Sequence, residues 1–288
     1  MRTDATPVSG QPAAAPAASA WSAARQLAGQ ARRRFPWLWL GGWAAVAMSF
    51  VLLAVGALDA RTFNGVSVWT KPWKFHLSVG LHLLTLAWCA ALLRDTPGRE
   101  RAMRGLSAVA VACAVFELGY ITWRAARGEA SHFNTGDAVS GALYALMGLG
   151  AVLLTGCAGV LGVWIARARD FAHGPVLQRG LVIGLLMGWA LGTLAGGYLS
   201  AQPGHWVGGT PSDLQGLPLV HWSRDGGDLR VPHFFGLHAM HVLPVAAWLA
   251  ARLVAPASAL CSVNALALAY AAFTVFTFAQ AVSGRPFV

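Results

Sequence analysis

Nine histidines occur in 288 residues, and three of them fall in one short stretch, HFFGLHAMH (233–241). That stretch opens an apolar run continuing VLPVAAWLAARLV, long enough to cross a bilayer. His82 lies in a second such run, and Glu117, a lone carboxylate, in a third. Ionisable groups at membrane depth are costly and mark either a functional pathway or a paired structural contact. Counting inward from the outer helix ends places His82, His241 and Glu117 all roughly 10–14 Å below the outer boundary. His238 and His241 differ by about 60° around their helix and share a face. His76 and His82 differ by about 120° and cannot both serve one centre.

This set suits several chemistries. Imidazoles at one depth on two helices, His82 and His241, are what a bis-histidine haem b requires. Three imidazoles, His82, His238 and His241, also suit a single transition metal such as zinc, copper or iron. Glu117 then stands beside the metal as an acid–base residue. Lys71, Lys74, Arg124 and Arg230, just above, are placed to neutralise propionates or attract an anionic ligand. The leading expectation is an outward-facing His/Glu site that binds haem or metal and is redox-active. One alternative is a zinc-dependent hydrolase of a lipid or lipid-linked substrate, with Glu117 as general base. Another is a transporter or receptor for a small anion or proton, with Glu117 and the histidines relaying protons. HxxH lacks the glutamate of HExxH, which excludes a soluble-metalloprotease pattern. His76, His132, His173, His205 and His221 read as boundary or loop residues. His233 reads as a cap at a helix start, beside Asp228 and Arg230.

The elements that must position these residues follow from composition. The chain is 56% hydrophobic and 11% charged, whereas a soluble domain carries roughly a quarter charged residues. A polytopic all-α membrane protein explains both figures, because lipid-facing positions cannot hold charge. The formal net charge of +10 does not point to nucleic acid, since the arginines cluster in short loops between apolar runs. The four cysteines are single and each falls in an apolar run, so they read as small buried residues. Residues 1–35, rich in Ala, Pro, Ser and Arg, read as a disordered cytoplasmic tail.

Seven runs of spanning length follow within 36–288, at about 37–59, 73–94, 105–124, 138–166, 180–201, 233–254 and 259–281. Placing the tail, the arginine-rich linkers and the adjoining helix ends inside puts 13 of the 21 Lys and Arg there. The positive-inside rule then gives N-terminus in and C-terminus out. Glycines at 180, 184, 188, 192 and 196 form a strict i+4 row, which predicts close approach of another helix. The long outer loop 202–232, with Trp206 and Trp222, is expected to fold back over the helix ends as a cover. Membrane lipids, and a small molecule or lipid arriving from the outer side, are the partners this layout implies.

SxxxH in the second run (Ser78, His82), an acid in the third (Glu117) and a late histidine pair (His238, His241) resemble, loosely, the seven-span zinc hydrolases. Those are the alkaline ceramidase and adiponectin-receptor group, which cleave lipid amides with a zinc-bound water. The chain departs from that pattern in having Glu for Asp, HxxH for HxxxH, and the pair in the sixth run instead of the seventh. WTKPWKF, SHFN and GGDLRVPHFFGLHA resemble runs in uncharacterised bacterial integral membrane proteins. That resemblance implies a bacterial inner-membrane setting and carries no activity with it.

Overall fold

The computed structural model describes residues 20–94 and 96–288. Eight α-helices account for most of the described chain: α1 (Ala20–Arg34), α2 (Pro36–Leu58), α3 (Thr70–Ala91), α4 (Pro97–Ala126), α5 (Ala138–Ala166), α6 (Pro175–Ser200), α7 (Arg230–Leu253) and α8 (Pro256–Val282). Prolines occupy the first position of α2, α4, α6 and α8, where the missing N–H costs nothing and the fixed φ suits a helix start. Asp137 caps α5, its carboxylate accepting from the Val139 and Ser140 amides at 3.0 and 2.9 Å. The end of the bundle at which α3 and α7 begin adds two small antiparallel pairs. β1 (Thr62–Phe63) and β2 (Val66–Ser67) are joined by an Asn64-Gly65 turn, both residues at positive φ, the type I′ geometry that short hairpins favour. β3 (Trp206–Val207) pairs with β4 (Gly227–Asp228).

Six of these helices (α2 and α4–α8) are long and apolar enough to cross a membrane, so the chain is a multi-pass, all-helical membrane protein. The run expected at 73–94 forms α3, which is 22 residues long but less apolar, because it carries Lys71, Lys74, His76 and His82. The reason is its position. α3 packs against α1, α2, α4 and α5, so many of its residues face protein, among them His76, His82, Leu83 and Leu86. A helix shielded from lipid is free to carry polar groups.

The expected disordered tail needs correction for its second half. Residues 20–34 form α1, whose Ala31 and Leu27 pack into the main core; residues 1–19 lie outside the described residues. α1 is held in place by Arg34, which donates to the Ala91 and Leu93 carbonyls at the end of α3, both at 2.9 Å. The sixth apolar run also starts earlier than the sequence suggests, with α7 beginning at Arg230.

α6 and α7 form the most extensive helix pair, and the glycine row explains it. A Cβ on Gly180 would clash with Ala247, one on Gly184 would lie 2.8 Å from Pro244, and one on Gly192 would lie 2.5 Å from Leu237. Each glycine admits one residue of α7, and Pro244 uses the space over Gly184 that its ring requires. This seam fixes the rotation of α7 about its axis. His238 and His241 follow Leu237 and Met240, residues of the α6-facing stripe, by one position each. They therefore point about 100° away from α6, toward α3.

Candidate functional site

Two tiers of polar side chains occupy the half of the bundle nearest the start of α3 and of α7. The upper tier centres on α4. Glu117, Tyr120 and Arg124 lie on one stripe, as their spacing predicts, and all three are buried. Glu117 stands against α5 at Gly150, where a Cβ would come within 3.0 Å of its Oε1. That oxygen and the Tyr120 hydroxyl are enclosed with no hydrogen-bond partner among the described residues. Lys71, from the start of α3, lies over the Phe75 ring at 5.6 Å, with its ammonium within electrostatic reach of Glu117, Asp213 and Arg230. His132 completes the tier. Its ring lies 5.6 Å from Phe75 and 5.8 Å from Tyr144, and it couples electrostatically to Lys71 and His233.

Of the four cations expected above the site, Lys71 is the one whose charge is directed at Glu117. The other three hold loops. Lys74 donates to the Val220 carbonyl at 3.2 Å. Arg124 bridges to Glu129 at 2.8 Å and donates to the Ala130 carbonyl at 3.0 Å. Arg230 is bound by Asp228 at 2.6 Å, Asp213 at 2.8 Å and the His221 carbonyl at 2.5 Å.

The lower tier holds the expected metal ligands. His82 Nε2 lies 3.2 Å from the Leu154 carbonyl. Since Leu154 follows Gly150 by one turn of α5, His82 sits about one turn below Glu117. His238 Nδ1 and His241 Nδ1 approach to 3.2 Å, one donating to the other, and the His238 ring lies 4.1 Å from that of Phe234. His241 Nε2 is enclosed and unpartnered. His82 lies within electrostatic reach of both His238 and His241. The three are thus neighbours, yet their nitrogens face different protein atoms. Among the described residues no three His, Cys, Asp or Glu are arranged to hold one metal ion. The Leu81 backbone lies within hydrogen-bond reach of the His241 ring.

His233 departs from its expected role as a cap. Its Nδ1 meets the Gly192 carbonyl at 3.0 Å, docking α7 onto α6, and Asp228 instead accepts from the Arg230 amide at 3.0 Å. Ser78 is exposed while His82 is buried, so the SxxxH pair does not face one centre. A polar stripe on α8 (Tyr270, Thr274 and Thr277) is spent on backbone carbonyls. Thr274 and Thr277 bond carbonyls of their own helix, and Tyr270 donates to the Phe235 carbonyl at 2.8 Å.

The loop 201–229 reaches the upper tier through Asp213, which lies within electrostatic reach of Lys71. Asp213 anchors it, accepting from Arg230 and, at 3.3 Å, from His205, while its amide donates to the Asn64 carbonyl of the β1–β2 turn at 2.9 Å. Burial works to raise the Asp213 pKa, but the His205 hydrogen bond and the Arg230 charge outweigh it and hold it below the usual value. Burial lowers the His205 pKa, with the Arg230 charge adding to the effect against the Asp213 hydrogen bond. At the C-terminal end, Gly227 is pressed against the Ala281 backbone of α8. His132, His205 and Asp213 were not singled out from sequence as site residues, because each stands in a loop whose path no periodicity encodes.

The fold and these tiers define a polytopic α-helical membrane protein with a buried polar interior in one half of its bundle. Compared with known proteins, the chain matches no family model, no curated sequence and no solved structure.

Proposed function

We propose that the protein is a seven-span integral membrane protein of a bacterial inner membrane, N-terminus in and C-terminus out, that takes up or senses a small anion together with a proton from the outer side. α2 to α8 alternate in direction, and α3, at about 33 Å by its rise, is long enough to be the seventh span. The arginines of the inner loops support the orientation. The observation that carries the functional reading is the pair of enclosed, unpartnered groups, Glu117 Oε1 and Tyr120 OH, one turn apart beside Lys71. Buried polar atoms are satisfied in the great majority of cases, and an exception calls for a partner. A small anion would accept from Lys71 and Tyr120 while Glu117 carries the accompanying proton. Loop 201–229, pinned through Asp213, is the cover over this site. The lower tier continues the polar path toward the membrane centre.

Proteoliposomes loaded with a pH-reporting dye test this. Succinate or inorganic phosphate added outside should drive proton entry into vesicles holding the wild-type chain. Lys71→Met and Glu117→Gln should each reduce it at least about tenfold, the scale of one charged hydrogen bond. Equal flux in wild type and both variants would refute the assignment.

One distance favours a second reading. Two nitrogens bound to one tetrahedral ion at 2.0–2.1 Å lie roughly 3.3 Å apart, close to the 3.2 Å between His238 and His241 Nδ1. Zinc, copper or iron held there would need His82 to turn from the Leu154 carbonyl. Elemental analysis of the purified protein, beside His238→Ala, decides it: a stoichiometric metal lost in the variant supports the metal centre, and no metal in the wild type removes it.

A further inference from the structure

The opposite end of the bundle carries a separate feature. A cavity of about 350 Å³ opens between α1, the end of α3 and the α5–α6 loop, lined by Gln30, Arg34, Arg94 and His173 with the backbone of residues 91–93. The donors it offers are the Arg94 guanidinium, the Gln30 amide and the His173 imidazole, while the Arg34 guanidinium is engaged on the Ala91 and Leu93 carbonyls. Among the described residues at this end the acids are Glu100, bound to Arg104 at 2.6 Å, and Asp170, 3.5 Å from Arg94. The Arg94–Asp170 pair is exposed on both sides, and such pairs contribute little, so Arg94 is available to a stronger anion. The carbonyls at the end of α3, which would repel an anion, are already covered by Arg34.

The depth of the cavity points to what fills it. Arg32, Arg33 and Arg34 form the last turn of α1, and the next turn, at the start of α2, presents Trp37 at 71% exposure. Arg252 stacks on Trp248 at 3.8 Å on the inner end of α7. Exposed tryptophan beside arginine marks the headgroup level of a membrane, and basic pockets there recognise anionic lipid headgroups. Arginine matches the geometry of phosphate better than lysine does.

We propose that this cavity binds a phosphoryl group, supplied by the headgroup of an anionic phospholipid of the inner leaflet. α1 then acts as a clamp, an interfacial helix that closes one wall of the headgroup site. The proposal is independent of the outer tier.

Native mass spectrometry of the full chain, titrated with phosphatidylglycerol or phosphatidylcholine, tests it. Phosphatidylglycerol should bind the wild type at least about tenfold more tightly than phosphatidylcholine, an energy scale of one or two charge-assisted hydrogen bonds. Arg94→Gln, a change at an exposed position that leaves the fold intact, should remove most of that preference. Arg94→Lys should restore part of it, and Arg101→Gln, at the same end but outside the cavity, should leave it unchanged. Equal binding of the two lipids, or equal losses from Arg94→Gln and Arg101→Gln, would overturn the site. Full displacement of phosphatidylglycerol by millimolar inorganic phosphate would overturn the lipid as its source.

Discussion

The α6–α7 seam and the α4 stripe are both buried helix faces within the bundle, and they treat burial in opposite ways. Along the seam, every position that would crowd the neighbour is glycine, and the one histidine present, His233, has its carbonyl partner at Gly192. On the stripe, Glu117 and Tyr120 are buried as deeply but leave polar atoms unpartnered. The seam is optimised for stability. The stripe gives up stability at the place where a ligand would recover it, which is how binding sites commonly differ from packing surfaces.

That contrast can be broken most forcefully at the seam. Gly184→Leu places a side chain into Pro244 and the Ala239 carbonyl and should cost about 3 kcal/mol, read as a fall in thermal unfolding temperature in detergent. Gly148→Ala, where a Cβ meets nothing within 4 Å, should be neutral or stabilising by up to about 1 kcal/mol. Equal losses at the two glycines would mean the seam is not a close-packed contact.

Glu117→Leu should act in the other direction. Removing a carboxyl whose buried Oε1 has no hydrogen-bond partner is expected to raise stability by about 2 kcal/mol, less what Lys71 loses with its carboxylate, while abolishing the anion-linked proton flux. A destabilised Glu117→Leu would show that the carboxyl is structurally paired. In the lower tier, His238→Ala removes the partner of His241 Nδ1 and should cost about 1 kcal/mol. An unchanged unfolding temperature would show that the His238–His241 contact is not formed.

The smallest effect concerns the cover. His205 has a folded pKa below its ordinary value of 6.5, so the unfolded or opened loop binds a proton more readily. Its contribution is fully present above pH 6.5 and declines as pH falls through that value toward the lower folded pKa. Asp213 is also lowered, and its contribution is lost only further down, as pH falls below the ordinary carboxylate range. The protection of amides in 201–229, that is, their hydrogen-exchange rates corrected for the intrinsic fall of exchange with pH, should therefore weaken a few-fold between pH 7.5 and 5.5, and His205→Gln should flatten that dependence. Protection factors in the wild type that do not change with pH would detach His205 from the closure of the loop.

The sequence by itself determined the class and much of the scaffold. Long apolar runs impose membrane helices, because hydrocarbon leaves a backbone no other partner. Arginine-rich linkers order the loops, and the glycine row announces a close helix contact. The stripe Glu117–Tyr120–Arg124 was legible too, since helical spacing alone puts those residues on one face. Tertiary structure decided the rest. Which cations reach Glu117 depends on where loops run, so Arg124 and Arg230 were drawn away to Glu129, Asp213 and Asp228 while Lys71 was not. The rotation of α7 is set by its contact with α6, so only the fold decides that His238 turns to His241 and His233 to Gly192. His132 and His205 are placed by irregular backbone, for which a sequence carries no period to read.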